Sequence, residues 1–178
     1  NQRLANTPCD NHCKNIIQIY SSFLFRVKAS RDFGNMQDEA SLESFLKDAD
    51  LEGNSFTSVV KQAQNYASIY GHCMMILDKP AIQTNTKAEE LNQEIRPYLS
   101  IVTPENVFDW NFERQPNGKY VLNYLKIREE VDKSGGSYMR MWYPDRVDTI
   151  YVEEQGTEPT LIDTAENQIG KIPAVILY

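Results

Sequence analysis

The sequence predicts an α+β fold in which N-terminal helices pack on a mainly antiparallel β-meander. Two observations carry that expectation. Up to about residue 96 the apolar side chains recur every three to four positions, whereas from Pro97 onward they alternate. In that second stretch turn signals also arrive at short intervals: Pro104-Glu105-Asn106, Pro116-Asn117-Gly118, Ser134-Gly135-Gly136 and Tyr143-Pro144-Asp145. Helices first and strands second is the order of an α+β chain rather than of alternating βαβ units. No repeat with a period of about 20–50 residues is visible, and no low-complexity tract divides the chain. Residues 1–178 therefore read as a single domain, with a mainly helical subregion holding one buried strand (1–96) and a β-meander subregion (97–178).

The first helix is expected from about Pro8 to Lys28, capped near Cys9 or Asp10, with Ile16, Ile17, Tyr20, Phe23, Leu24 and Val27 at helical spacing. Residues Val27 to Asn35 read as a short strand broken at Gly34-Asn35. A second helix follows at about Ser41 to Ala49, with Leu42, Phe45, Leu46 and Ala49 on one face, and Gly53-Asn54 ends it. Asn54 or Ser55 can cap the third helix, Phe56 to Tyr70, whose apolar face is Phe56, Val59, Val60, Ala63, Ala67 and Tyr70. Gly71 suits a left-handed helix terminus.

The run His72-Cys73-Met74-Met75-Ile76-Leu77, closed by Asp78-Lys79-Pro80, is short, continuous and apolar, which marks an interior strand. Residues Thr84 to Gln93 are polar and fit a loop or a short exposed helix. Strands are expected at Val107 to Glu113 and Lys119 to Val131, joined by Asn117-Gly118, a pair suited to the two left-handed positions of a tight hairpin. Phe108, Trp110 and Phe112 fall on one face of the first of these, suited to packing against the helices. Further strands are expected at Tyr138 to Tyr143, Val147 to Glu153, Leu161 to Thr164 and Ala174 to Tyr178, with Glu154 to Thr160 a polar loop.

Hydrophobic residues at 41% and charged residues at 24% are those of an ordinary globular chain and exclude a disordered or collagen-like class. The longest apolar runs, Cys73 to Leu77 and Ile172 to Tyr178, fall far short of the ~20 residues a bilayer span needs, so no membrane partner is expected. Three cysteines, an odd number, read as free thiols of a reducing compartment, by default the cytoplasm. The chain starts with Asn and ends inside an apolar strand, and both ends read as cuts. A net charge of −7 and a pI near 4.9 repel phosphate backbones, and the basic stripe of a sequence-reading DNA binder is missing.

The search for chemistry returns little. Gly170-Lys171-Ile172 lacks both the loop and the hydroxyl of a phosphate-binding P-loop, and no glycine fingerprint for a dinucleotide follows a strand. Cys9, His12 and Cys13, with His72-Cys73 far along the chain, are residue types that bind zinc, but their spacing is poor. Buried or idle thiols are the commoner reading, and Cys73 belongs to the core. Asp109, Glu129, Glu130, Asp145 and Asp148 lie on or beside strands, where two carboxylates can do acid/base work, although charges along a sheet face are more often solvated or paired across strands. Trp110, Trp142 and the ten tyrosines have the surfaces to stack bases, but without accompanying cations they fit a core or a subunit interface. No catalytic residue, metal ligand or cofactor is expected, and the protein does not read as an enzyme.

Several segments, taken in order, resemble portal proteins of tailed bacteriophages. They are Asn15-Ile16-Ile17-Gln18-Ile19-Tyr20-Ser21-Ser22-Phe23-Leu24-Phe25, the Leu46 to Ser55 turn, the Tyr66 to Asp78 helix, glycine and strand unit, Val102-Thr103-Pro104-Glu105-Asn106-Val107-Phe108-Asp109-Trp110, Ile127-Arg128-Glu129-Glu130, the Tyr138 to Tyr151 hairpin, and Gly170-Lys171-Ile172-Pro173-Ala174-Val175. The resemblance covers most of the chain, and each motif is short and scaffold-like. It implies a structural subunit of a portal ring, the DNA entry and exit conduit at a capsid vertex of the virion. The family forms rings of usually twelve identical subunits. Its partners are the terminase large subunit, capsid and scaffold proteins, head-to-tail adaptors, and double-stranded DNA passing without sequence-specific contact. The family's stem, clip and channel loop have no counterpart in these residues, which leaves the outer wing. The competing expectations are a small acid/base hydrolase using the strand carboxylates and a phage or host protein-binding module with an aromatic sheet face.

Overall fold

The computed structural model describes residues 12–37, 39–80, 86, 89, 95–153 and 158–178. Among them the chain forms helices α1 (His12–Leu24), α2 (Ala40–Lys47) and α3 (Phe56–Tyr70), followed by eight strands. The strands are β1 (Cys73–Asp78), β2 (Tyr98–Val102), β3 (Val107–Arg114), β4 (Tyr120–Val131), β5 (Ser137–Trp142), β6 (Arg146–Val152), β7 (Thr160–Glu166) and β8 (Ala174–Leu177). Every pairing is antiparallel. The fold is α+β.

The strands make two sheets. β3 to β7 form a five-stranded meander in sequence order, while β1 is the centre of a three-stranded sheet flanked by β2 and β8. The alternation beginning at Pro97 is therefore one pattern serving two sheets. The strands at its two ends, β2 and β8, close on β1, and only the five between them follow one another as a meander.

β1 explains how the layers stack. Its side chains alternate, and both sides are covered. Cys73, Met75 and Leu77 pack towards Val59, Ala63 and Ala67 of α3, whose four-residue spacing keeps them on one face. Two of those three are alanines, small enough to let the helix lie close to the sheet. Met74 and Ile76 point the other way, into a core with Leu122, Leu125 and Ile127 of β4, Trp142 of β5 and Ile172. A strand buried on both faces has no use for a polar face, which is why this run reads as continuously apolar. α3 itself starts where expected, with Ser55 Oγ accepting from Ser58 N–H at 3.3 Å, and ends at Gly71 with φ 87°.

Other expectations change. Residues 28–33 form no strand; Gly34 N–H donates to Asp32 Oδ1 at 2.8 Å and a 3-10 turn follows at Gly34–Met36. The segment is tied to α3 instead of to a sheet, because Arg31 donates to Thr57 Oγ1 at 3.2 Å and lies over the Phe56 ring. The cap expected at Cys9 or Asp10 lies outside the described residues, as does most of Thr84 to Gln93, of which Thr86 and Glu89 are described, and the loop from Glu154 to Thr157.

The β3–β4 hairpin forms, but its turn is of another kind. Gly118 has φ 83° and Asn117 is not left-handed. Gly118 N–H donates to Gln115 O, and Gln115 N–H to Lys119 O, both at 2.8 Å. That is a type I turn with Pro116 at its second position, followed by a glycine bulge. Pro116 sets the φ of a type I turn and so selects the longer loop. The aromatic trio also differs: Phe108, Trp110 and Phe112 are 49%, 47% and 40% exposed. β3 is an edge strand away from the helices, and the core of this sheet is filled from β4 and β5.

The β4–β5 turn repeats the bulged form around Asp132. Its carboxylate accepts from Ser134 N–H and Oγ–H, from Gly136 N–H, and from the Tyr151 hydroxyl at 2.6 Å. These hydrogen bonds, that of Ser134 foremost, hold its pKa down to about 2. The folded value lies below the unfolded one near 4, so the carboxylate's contribution is complete above about pH 4 and is lost as pH falls through about 2. In denaturant titrations from pH 7 to pH 2, D132N is expected to be less stable than the wild type, with the difference closing below about pH 4. A methyl group on Gly136 would sit 2.0 Å from Tyr151 Oη and 2.5 Å from its ring carbon Cζ. G136A is expected to lose about 1–3 kcal/mol in urea unfolding through that overpacking.

Candidate functional site

A cluster of charged and polar side chains lies at the junction of the two sheets. Asp78, the last residue of β1, continues the alternation of Met74 and Ile76 and so faces the five-stranded sheet. There it pairs with Arg140 of β5, whose Nε also reaches Glu129 of β4 at 3.2 Å. Tyr98 Oη of β2 donates to Asp78 Oδ2 at 3.1 Å, and the Arg140 guanidinium lies 5.5 Å from the centre of the Trp142 ring. Burial pushes the Glu129 carboxyl up, against the pull of Arg140. Burial also raises the Tyr98 phenol, with Asp78 adding to it. Desolvation disfavours the Arg140 cation, but Asp78 and Glu129 more than compensate and hold it above its ordinary value. The cluster is a brace between sheets.

The residues singled out from the sequence are scattered around this brace. Glu129 shares the Arg140 guanidinium with Asp78, so a cation stands between those two carboxylates. Hydrolysis by two carboxylates needs them to face one another across a gap of about 5–9.5 Å that a substrate can enter. Asp109 and Glu130 are exposed on their strands. Asp145 and Asp148 both bind Arg146, at 3.3 and 3.1 Å, and Asp148 also accepts from Thr164 Oγ1 at 2.9 Å. Asp78 and Arg140 were missed because each looks unremarkable in isolation. The available signal was the parity of Asp78 with Met74 and Ile76 on a strand buried on both sides.

The zinc-type residues do not converge either. Cys9 lies outside the described residues, His12 and Cys13 are exposed on α1, and His72 is half-buried beside the Tyr178 ring. Cys73 is fully buried, its thiol donating to Ala63 O at 3.2 Å, and burial pushes that thiol up. Among the described residues no group of three or more His, Cys, Asp or Glu is placed to hold a metal ion. Trp142 is core, at 3% exposure, whereas Trp110 is on the surface.

The Pro104-Glu105-Asn106 motif has a clear structural task. It forms a 3-10 turn ahead of β3, and Asn106 Oδ1 accepts from Arg128 Nε and Nη2 at 3.2 and 3.0 Å. The same guanidinium covers the Phe108 ring at 5.4 Å.

The surface is the second notable feature. α1 was expected to bury its apolar stripe, yet Ile16, Ile19, Tyr20, Phe23 and Leu24 are each more than half exposed. Its contact with α3 is made from the other side, where Ser21 is buried and Ile17 and Phe25 are half-buried. A small residue such as Ser21 allows close approach of two helices. The large side chains are left outside.

Together these features define an α+β structural protein whose internal charges brace its own sheets and whose apolar side chains are displayed on one helix and one edge strand. The family model for phage portal protein, SPP1 Gp6-like, matches residues 4–178, nearly the whole chain. The chain belongs to that phage portal protein family, and its role is a structural one in the portal. No curated protein matches it. No described helix is long and apolar enough to cross a membrane.

The brace can be tested by charge removal. The side chains of Arg140 and Asp78 are 23% and 12% exposed, so R140L strands a carboxylate in a poorly solvated place. R140L or D78L alone is expected to cost about 3 kcal/mol in urea unfolding, and the double variant D78L/R140L to recover most of that loss.

Proposed function

We propose that these residues are the outer wing of a portal ring subunit, acting as one domain, in a ring of identical copies that forms the DNA entry and exit conduit at a capsid vertex. The observation that carries the reading is the uncovered apolar surface of α1 on a chain of this family. An isolated monomer gains nothing by exposing Ile16, Ile19, Tyr20, Phe23 and Leu24 together, whereas a subunit gains by burying them against a neighbour. A closed ring needs two different surfaces on each copy, one meeting the other on the next copy.

The electrostatics are compatible with an outer position, since a net charge of −7 gives these residues no general attraction for phosphate backbones. The role needs no catalytic residue and no cofactor. The partners that follow are further copies of the chain, the terminase large subunit, capsid and scaffold proteins and head-to-tail adaptors, met first in the host cytoplasm and then in the virion. The acid/base hydrolase reading gains no support from the carboxylates, since those that meet a charged group meet an arginine.

Negative-stain electron microscopy of the complete protein, purified without DNA, is expected to show rings with a central channel. A uniform monomer at micromolar concentration would overturn the portal-ring reading and favour a protein-binding module.

A further inference from the structure

Charge is distributed unevenly along the chain. Residues 12–31 contain four Lys or Arg and no Asp or Glu, in a protein with 18 basic and 25 acidic residues. The apolar stripe of α1 therefore runs into a basic end at Arg26 and Lys28, both exposed. Elsewhere on the molecule, a cleft of about 530 Å³ lies between α3 and β2. Asp50, Glu52 and Glu105 line it together with Tyr66, Tyr70 and Tyr98, and among the described residues no Lys or Arg does. No residue of α1 lines it, so the helix does not occupy the cleft of its own molecule. β2 is the edge strand of its sheet, and Leu99 N–H donates to Ala49 O at 2.7 Å, so the cleft lies beside the turn that caps this edge.

We propose that the cleft between α3 and β2 receives the α1 helix of a second copy of this chain, its basic end facing Glu52 and Glu105. The reading rests on ring assembly and names the two surfaces that meet. Charge complementarity decides the pairing. The aromatic face of β3 is also exposed, but Asp109 and Glu113 alternate with the aromatic residues onto the opposite face and Arg128 covers the Phe108 ring, so it offers a basic helix no preference. The acidic turn around α2 has its charges engaged, Glu43 with Lys47 at 2.7 Å and Asp48 with Arg96. The cleft has concavity, acidic side chains and the rings of Tyr66 and Tyr70, which offer apolar faces to Phe23 and Tyr20 and hydroxyls to polar groups. The two surfaces differ, so the contact is heterologous and can propagate around a ring.

The test uses the complete protein and counts rings by electron microscopy and mass photometry. Reversing both cations, R26E/K28E, is expected to reduce the ring fraction about tenfold by placing like charges across the interface. Adding E52K/E105K to that variant is expected to restore it. All four positions are exposed, and unchanged circular dichroism and melting temperature will show that the subunits remain folded. If the wild type forms rings and R26E/K28E forms them equally well, or the four-fold variant is not rescued, this docking is wrong while the portal reading stands. If the wild type forms no rings, the portal reading fails and the docking falls with it. Binding of wild-type monomer to anionic phospholipid vesicles, lost in R26E/K28E, would overturn the proposal in favour of a membrane-surface helix.

Discussion

The structure depends on the burial of β1 from both sides. A six-residue strand is too short to be stable alone, and this one gains its place as the central strand of its sheet, with α3 above, β2 and β8 beside it, and β4 and β5 below. Its neighbours come from distant parts of the sequence. β8 pairs with it across about a hundred residues, with Ile76 opposite Ala174 as well as Ser100. The core on one side is built of small helical residues, Ala63 and Ala67, and on the other of large ones, Leu125, Ile127 and Trp142. Loss of volume on either face would leave a cavity that neither sheet can close without shifting the other.

Apolar packing does not by itself fix how two sheets sit against one another, because it is tolerant of sliding. The ionic brace supplies the direction. Asp78 sits one step beyond the apolar part of β1, where the layer opens toward solvent, and one guanidinium on the other sheet satisfies it together with Glu129. Such a pair adds little net stability compared with well-packed hydrophobic residues of the same size. Its effect is on alignment: a shift of one residue in β1 would turn Asp78 toward α3, away from Arg140, and leave its carboxylate without that cation. In the proposed ring that alignment matters, since variation between copies would spoil the geometry that closes it.

Much of this was legible in the sequence, and what was not has identifiable physical causes. α3 and β1 were readable to the residue or nearly so, because Ser55, Gly71 and the run from Cys73 are local signals read by local rules. The hairpin at Asn117-Gly118 was readable as a hairpin but not in its turn type, since Pro116 outweighed the preference of the Asn-Gly pair. The strand expected at Val27 to Asn35 failed because strand propensity without a partner strand counts for nothing. The sheet membership of β2 and β8 depends on contacts far apart in sequence, which periodicity cannot report. The aromatic trio of β3 and the stripe of α1 misled for a common reason. Alternation and helical spacing identify an apolar face, but they do not say whether the cover is the same chain or another one. The brace was invisible for the opposite reason: Asp78 and Arg140 are ordinary surface-type residues until two sheets bring them together.

That ambiguity about the cover bears on assembly. Copies of a protein carrying −7 each repel one another at long range, and a ring holds many such charges close together. Contact therefore has to be favoured locally, by burying apolar surface and by placing opposite charges face to face. This chain separates its charges in a way that serves that need: residues 12–31 carry four cations, and the remainder carries 14 against 25 anions. Two unlike surfaces on one molecule, a basic apolar helix and an acidic cleft, favour head-to-tail contact and disfavour symmetric pairing, in which like would meet like. Whether head-to-tail contact closes into a ring or runs on as a filament depends on a fixed angle between the two surfaces. α1 rests on α3 and the cleft lies between α3 and β2, so one 15-residue helix carries both surfaces. With α3 held against β1, and β1 braced to the second sheet, that angle is a property of the core.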